Sequence, residues 1–263
     1  MSNANEIIQM GRKFLRSEMD ALNQVIERLD NSFSDAVRAM QKCNGTVVLV
    51  GVGKPYFVAQ KISASMASTG TQSITLHPVD ALHGDMGRIK SGDVVVVLSN
   101  SGSSSEVVDF IQATKSLDVV RIAITCRPES AVAKACDIVL DLGTLEEACP
   151  MGVAPSTTST AMLAIGDALT LTLVELRGFT IEAFAKNHPG GSIGRRLRSV
   201  ASMMRGLDRT ATARPSQSVL ETLSTIAEKR SGAAFIIDEN KKLLGIFTDG
   251  DVKRLIRGTE AAL

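Results

Sequence analysis

The chain has 263 residues, a formal net charge of +1 and 3% aromatic residues, with no tryptophan and a single tyrosine. A near-neutral chain has no global field to draw it to nucleic acid or to a membrane surface, and so few rings argue against a base-stacking platform. The length suits one sizeable core plus a second small unit.

Four cysteines, Cys43, Cys126, Cys136 and Cys149, stand far apart with no C-x-x-C pair. Neither a zinc knuckle nor a disulfide framework is indicated, and they read as small buried hydrophobes. Residues 1–11 lack a signal-like apolar core, and no run of about 18 apolar residues occurs, so a cytoplasmic protein without membrane or nucleic-acid partners is expected.

Along residues 6–42, Ile7, Phe14, Leu15, Leu22, Val25, Ile26, Leu29, Phe33 and Val37 recur at helical period. This predicts one long packing helix, or two with a break near Asn31. The apolar run 46–50 ends in Gly51-Val52-Gly53, and residues 58–68 then suit a helix. The pattern repeats: strand 73–76, strand 93–98, helix 104–116, strand 120–125, helix 129–135, strand 138–142 and an apolar helix 161–176 closed by Gly178. Alternating apolar runs and helices predict an α/β fold, a parallel sheet flanked by helices on both faces. Composition then shifts toward Gly and Arg, placing a boundary near residue 200. Beyond it helix 219–228, strands 233–237 and 243–248 and helix 249–256 predict a small α+β unit. The expected division is therefore 1–45 helical, 46–199 sheet domain and 200–263 small unit.

In an open parallel sheet, ligands bind outside the carboxyl ends of the strands. The polar signals fall there: Gly51-Val52-Gly53-Lys54 after one strand, and Ser99-Asn100-Ser101-Gly102-Ser103-Ser104-Ser105-Glu106 after another. The second leads into a helix N-terminus, where free N–H groups and hydroxyls suit a phosphate dianion; a solvated turn with a good N-cap is the plain alternative. A Walker loop is excluded by Val48 at its first Gly position and Pro55 after Lys54, and a dinucleotide fingerprint by Tyr56 at its third. Ser156-Thr157-Thr158-Ser159-Thr160 is a second such run, and Glu146 and Glu147 just before it are candidates for acid/base work. The only histidines, His77, His83 and His188, lie beside Pro or Gly in loops, which points to proton transfer. A zinc site from His77, His83 and Asp85 lacks an established ligand spacing.

Taken together these segments closely resemble the arabinose-5-phosphate isomerases of the sugar isomerase (SIS) domain family. The matches run from Gly51-Val52-Gly53-Lys54 through Ala67-Ser68-Thr69-Gly70-Thr71, His77-Pro78, Leu82-His83-Gly84-Asp85, Ser99-Asn100-Ser101-Gly102, Glu147-Ala148-Cys149-Pro150, Ala154-Pro155 and Gly166-Asp167-Ala168-Leu169 to His188-Pro189-Gly190-Gly191. The tail, with Gly245-Ile246-Phe247-Thr248-Asp249-Gly250-Asp251, resembles a single cystathionine-β-synthase-type (CBS) motif.

The resemblance implies interconversion of D-ribulose 5-phosphate and D-arabinose 5-phosphate through an enediolate, without cofactor or metal, feeding octulosonate synthesis for lipopolysaccharide or capsule. It implies a homotetramer with shared active sites. Carried over by position, Lys54, Glu106, Glu147 and His188 are the catalytic candidates. Gly53, His83, Ser99, Asn100, Ser101, Ser104 and Thr158 are the substrate-binding candidates. Thr248 and Asp251 match positions that touch ribose in paired CBS motifs, implying an adenylate or nucleotide-sugar ligand. The chain departs from the family at Pro55-Tyr56, where Ser-Gly is common, and at Ser103, where Glu is common. Other isomerisations or lyase chemistry on the same scaffold, or a non-catalytic sugar-phosphate sensor, are the competing readings.

Overall fold

The structure, a computed structural model, describes residues 3–190 and 200–260. The chain divides into two compact units, Met1–Leu197 and Arg198–Leu263.

The first unit opens with two helices, α1 (Ala4–Glu27) and α2 (Asn31–Lys42). The break falls where Asp30 leaves helical geometry and its carboxylate accepts from the Ser32 N–H at 2.8 Å, an N-cap that starts a new helix. Then follow β1 (Val47–Gly51), α3 (Lys54–Ser68), β2 (Ser73–Leu76), α4 (Pro78–Leu82), β3 (Val94–Leu98), α5 (Ser105–Ala113), β4 (Val120–Thr125), α6 (Ala131–Lys134), β5 (Ile138–Asp141), α7 (Thr157–Leu176) and α8 (Ile181–Asn187).

The five strands form one parallel sheet in the order β2-β1-β3-β4-β5. Alternation along each strand splits its side chains between two cores. Val47, Leu49, Val94 and Val96 face Met40, Ile62, Met66, Met162 and Leu173 of α2, α3 and α7. Val48, Val50, Val95 and Val97 face Ala81, Val107, Phe110, Ile111 and Val132 of α4, α5 and α6. Burial on both faces is why β1 and β3 read as unbroken apolar runs.

Helix α7 is long and apolar enough to cross a membrane, yet Ala161, Met162, Ile165, Leu169 and Leu173 are buried in the sheet domain's core. It packs on α3 so closely that a Cβ on Gly166 would collide with the Ile62 side chain. One residue on, Lys61 and Asp167 form an ion pair at 2.5 Å. Both helices run down from the carboxyl edge of the sheet, so their N-termini lie side by side there.

The second unit contains a single-turn helix α9 (Val200–Met203), β6 (Ala211–Ala213), α10 (Val219–Glu228), β7 (Ala233–Ile237), β8 (Leu243–Thr248) and α11 (Asp249–Glu260). Its sheet is β6-β7-β8, parallel then antiparallel. The core is small: Ala211, Ile226 and Ala234 with Leu223 and Phe247 against them.

Candidate active site

The chain leaves β1 for β2 on one side and returns to β3 on the other, so the strand order reverses between β1 and β3. A crevice must open at their carboxyl ends. A cavity of about 230 Å³ lies there, lined by Val52, Pro55, Leu98, Ser99, Asn100, Ser101, Ser104 and Val107.

The loop after β3 is wound on itself. The buried Ser99 hydroxyl accepts from the Gly102 N–H at 3.0 Å, the Ser101 hydroxyl accepts from the Ser103 N–H at 3.3 Å, and the Thr125 hydroxyl donates to the Asn100 carbonyl at 3.3 Å. Gly102 sits at φ +59°, and a Cβ there would strike the Ser130 side chain, so no other residue fits without strain. The winding delivers Ser104 to the head of α5, where no side chain caps the helix. Its first N–H groups are thus left for an anion. Lys54, the first residue of α3, stands exposed beside Pro55 of the cavity wall; Glu106, half-buried, stands beside Val107. Gly53 caps α3 at φ +65°.

Glu147 reaches the same edge from β5. One carboxylate oxygen accepts from the Ser156 N–H at 2.7 Å, and the other accepts from the Thr158 hydroxyl in a short hydrogen bond. Burial pushes this carboxyl up, but the Thr158 hydroxyl and the N–H groups of Ser156, Thr158 and Thr157 outweigh it, so its pKa lies below the ordinary glutamate value. Glu147 is therefore a fixed carboxylate at the N-terminus of α7, next to the start of α3. Glu146 is exposed. Thr158, expected from the sequence near the phosphate, is buried and spends its hydroxyl on Glu147; the Ser-Thr run gave no hint of this pairing.

His77 and His83 bracket α4 as its flanking residues. The His77 ring meets the edge of Tyr56, with centroids 5.2 Å apart at 84°, and His83 is exposed.

His188 lies elsewhere. Its Nδ1 is 2.9 Å from the Phe184 carbonyl and its ring stacks on Phe184 at 3.9 Å. The preceding Asn187 donates to the Ser68 carbonyl at 3.1 Å, at the far end of α3. With 15 residues in α3, about 22 Å of helix rise separates that end from Lys54. Within one chain, Lys54, Glu106 and Glu147 gather at the carboxyl edge and His188 does not join them.

In the second unit, Thr248 donates both its polar hydrogens to Asp251. The Asp251 carboxylate accepts from the Thr248 N–H at 2.8 Å and from its hydroxyl at 2.7 Å, and also pairs with Arg254. These bonds tie the first turn of α11 back to the end of β8. A cavity of about 410 Å³ in this unit is lined instead by Arg214, Pro215, Gln217, Val219, Thr222, Ile236 and the strand 244–247.

The cysteines depart from the uniform burial expected of them, since only Cys126 is fully buried. Burial raises the thiols of Cys126 to about 11 and Cys136 to about 12. Cys149, two residues from Glu147, is lowered because the N–H groups of Ala154, Met151 and Val153 face its sulfur.

Comparison with known proteins accords with this geometry. The SIS domain family model matches residues 40–172, and the CBS domain model matches residues 200–258. Over 260 residues the chain is 41% identical to the protein named arabinose 5-phosphate isomerase KdsD of Pseudomonas aeruginosa, covering 97% of this chain and 79% of that one. The chain belongs to the SIS-domain sugar isomerases, in the arabinose 5-phosphate isomerase group. The like-named protein of Escherichia coli K12 is 41% identical over 248 residues, 94% of this chain and 76% of that one. Among solved structures, a protein of Escherichia coli CFT073 in complex with arabinose 5-phosphate superposes with a TM-score of 0.70 at 36% identity. That alignment covers all of that chain and 72% of this one. The β1/β3 crevice and the helix starts at the same edge are the candidate site of this SIS member.

Proposed function

We propose that the protein interconverts D-ribulose 5-phosphate and D-arabinose 5-phosphate, supplying the aldose for octulosonate in lipopolysaccharide or capsule, and does so in the cytoplasm. The observation that carries this reading is the position of Glu147, an ionised carboxylate pinned at the α7 N-terminus, on the same carboxyl edge of the sheet as the crevice. The sugar phosphate would bind with its phosphate on the Ser99–Ser104 loop and the free N–H groups of α5. Glu147 then faces the C1–C2 end and moves a proton between those carbons through an enediolate. Lys54 stabilises the negative oxygen that develops, and Glu106 orients a sugar hydroxyl. Asn100 and Ser101 line the crevice, and Gly53 and His83 are assigned to contacts with the bound sugar.

His188 supplies the second acid/base group, opening the ring or relaying hydroxyl protons. Because its own chain holds it some 20 Å away by the helix rise of α3, the reading requires that it act in the site of a neighbouring copy, within a homotetramer of shared sites. The test is to incubate the protein with D-ribulose 5-phosphate and resolve the products by NMR. Arabinose 5-phosphate is expected. Ribose 5-phosphate alone would move the protein to another isomerisation, and unchanged ketose would overturn the reading.

A further inference from the structure

Arg127 has no part in the reaction as drawn so far, yet it stands between two of the groups that do. It follows β4, whose last residue, Thr125, is fully buried. The Thr125 hydroxyl donates to the Asn100 carbonyl of the crevice wall at 3.3 Å and accepts from the Arg127 N–H at 3.1 Å. Farther along, the Val132 N–H donates to the Gly102 carbonyl at 3.1 Å. The segment 125–132 is thus fastened at both ends to the loop after β3, and Pro128 disfavours a helical backbone at Arg127 itself. From this anchored backbone the side chain reaches the other way. Its Nη1 donates to the Thr144 hydroxyl at 3.1 Å and, at 3.5 Å, to the Cys126 carbonyl. Glu129, the nearest acidic residue in sequence, is already paired with Lys134 at 3.4 Å. Thr144 lies three residues before Glu147, in a stretch, 142–147, that is neither helix nor strand.

We infer that Arg127 is a positioning residue, which fixes the spacing between the loop after β3 and the Glu147 carboxylate. This role rests on the proposed isomerisation, in which one loop holds the phosphate and Glu147 moves the proton. The donors that keep Glu147 charged come from Ser156 and Thr158 at the head of α7, so they survive the loss of Arg127. What is lost is the placement of the carboxylate relative to a sugar held by its phosphate on the other loop. An irregular stretch without its tether opens at little cost in free energy. Proton transfer between carbons needs the reacting atoms about 3 to 3.5 Å apart, and a misplacement of about 1 Å can cost on the order of a hundredfold in rate. The guanidinium suits the task because its planar fork of donors is pre-organised, and holding a hydroxyl across a gap costs it less freedom per bond than it costs a lysine ammonium.

Steady-state kinetics on the full chain with D-ribulose 5-phosphate test it. Arg127→Met keeps the stem and removes the donor, and Thr144→Val removes the acceptor; both side chains are exposed, and circular dichroism melts check the fold. Each variant is expected to lower kcat about tenfold or more and to leave KM within about twofold of the wild type. The acid limb of the pH–rate profile should stay in place, because the donors to Glu147 are untouched. In Arg127→Met/Thr144→Val, kcat should fall no further than in the single variants, since all three lack the same bond. Undiminished kcat in a folded single variant, a loss confined to KM, a displaced acid limb or additive losses in the double variant would overturn the inference and leave the proposed reaction standing. A wild type that converts no ketose would overturn the reaction and this role with it. Should Arg127→Met melt below the assay temperature, Thr144→Val decides alone.

Discussion

Glu147 shows how a single side chain acquires a role from its anchor. The Thr158 hydroxyl and the Ser156 N–H hold the carboxylate ionised. Its folded pKa is depressed, so the active, charged form is present at neutral pH and is lost as pH falls through that pKa. Replacing Thr158 by Val removes one donor and raises the pKa; the acid limb of the pH–rate profile is expected to move to higher pH, as rates measured across the acid and neutral range would register. Glu147→Gln is expected to abolish turnover while ribulose 5-phosphate still binds. In deuterium oxide the wild type should exchange the C1 proton of the ketose with solvent and this variant should not. Undiminished exchange would remove Glu147 from the mechanism. The same loop holds Cys149, whose lowered pKa makes it the thiolate to react ahead of Cys126 and Cys136. Limited alkylation at neutral pH, followed by peptide mapping, should find label on Cys149 first and turnover lost in proportion.

At the scale of elements, the loop after β3 depends on the backbone of Gly102. Gly102→Ala is expected to cost about 1 to 3 kcal/mol of local strain and to raise KM for the sugar phosphate more than it lowers kcat. Steady-state kinetics with a thermal melt would separate the two effects. Much of this layer was legible in the sequence. The strands β2, β4, β7 and β8 begin and end where the apolar runs do, because strands are bounded by the Gly and polar residues that must turn. Helix α3 starts at Lys54, four residues before the expected start, since Pro55 is well suited to the first turn and apolar periodicity begins only at Val58. Short α4 and α8, and the three-residue β6, were unread because so few residues carry no period. The crevice was legible as Gly- and Ser-rich loops. The bond from Thr158 to Glu147 was not, because it joins positions whose meeting depends on how β5 feeds α7.

For the whole molecule, the position of His188 decides the argument. The sequence put it in one motif set with Lys54, Glu106 and Glu147; the fold seats it at the opposite end of α3, stacked on Phe184. Linear resemblance carries no information on which copy of a chain supplies a side chain, and only the three-dimensional placement raises the question. A site completed across a two-fold contact makes a quantitative demand on mixed assemblies. The decisive measurement therefore mixes Glu147→Gln with His188→Ala, each inactive alone, and allows the subunits to exchange before turnover of D-ribulose 5-phosphate is assayed. A shared site requires recovery to about a quarter of wild-type activity, the fraction that random two-fold pairing gives. A mixture as inactive as its parents after proven exchange, or a His188→Ala protein with full activity, would contradict the account.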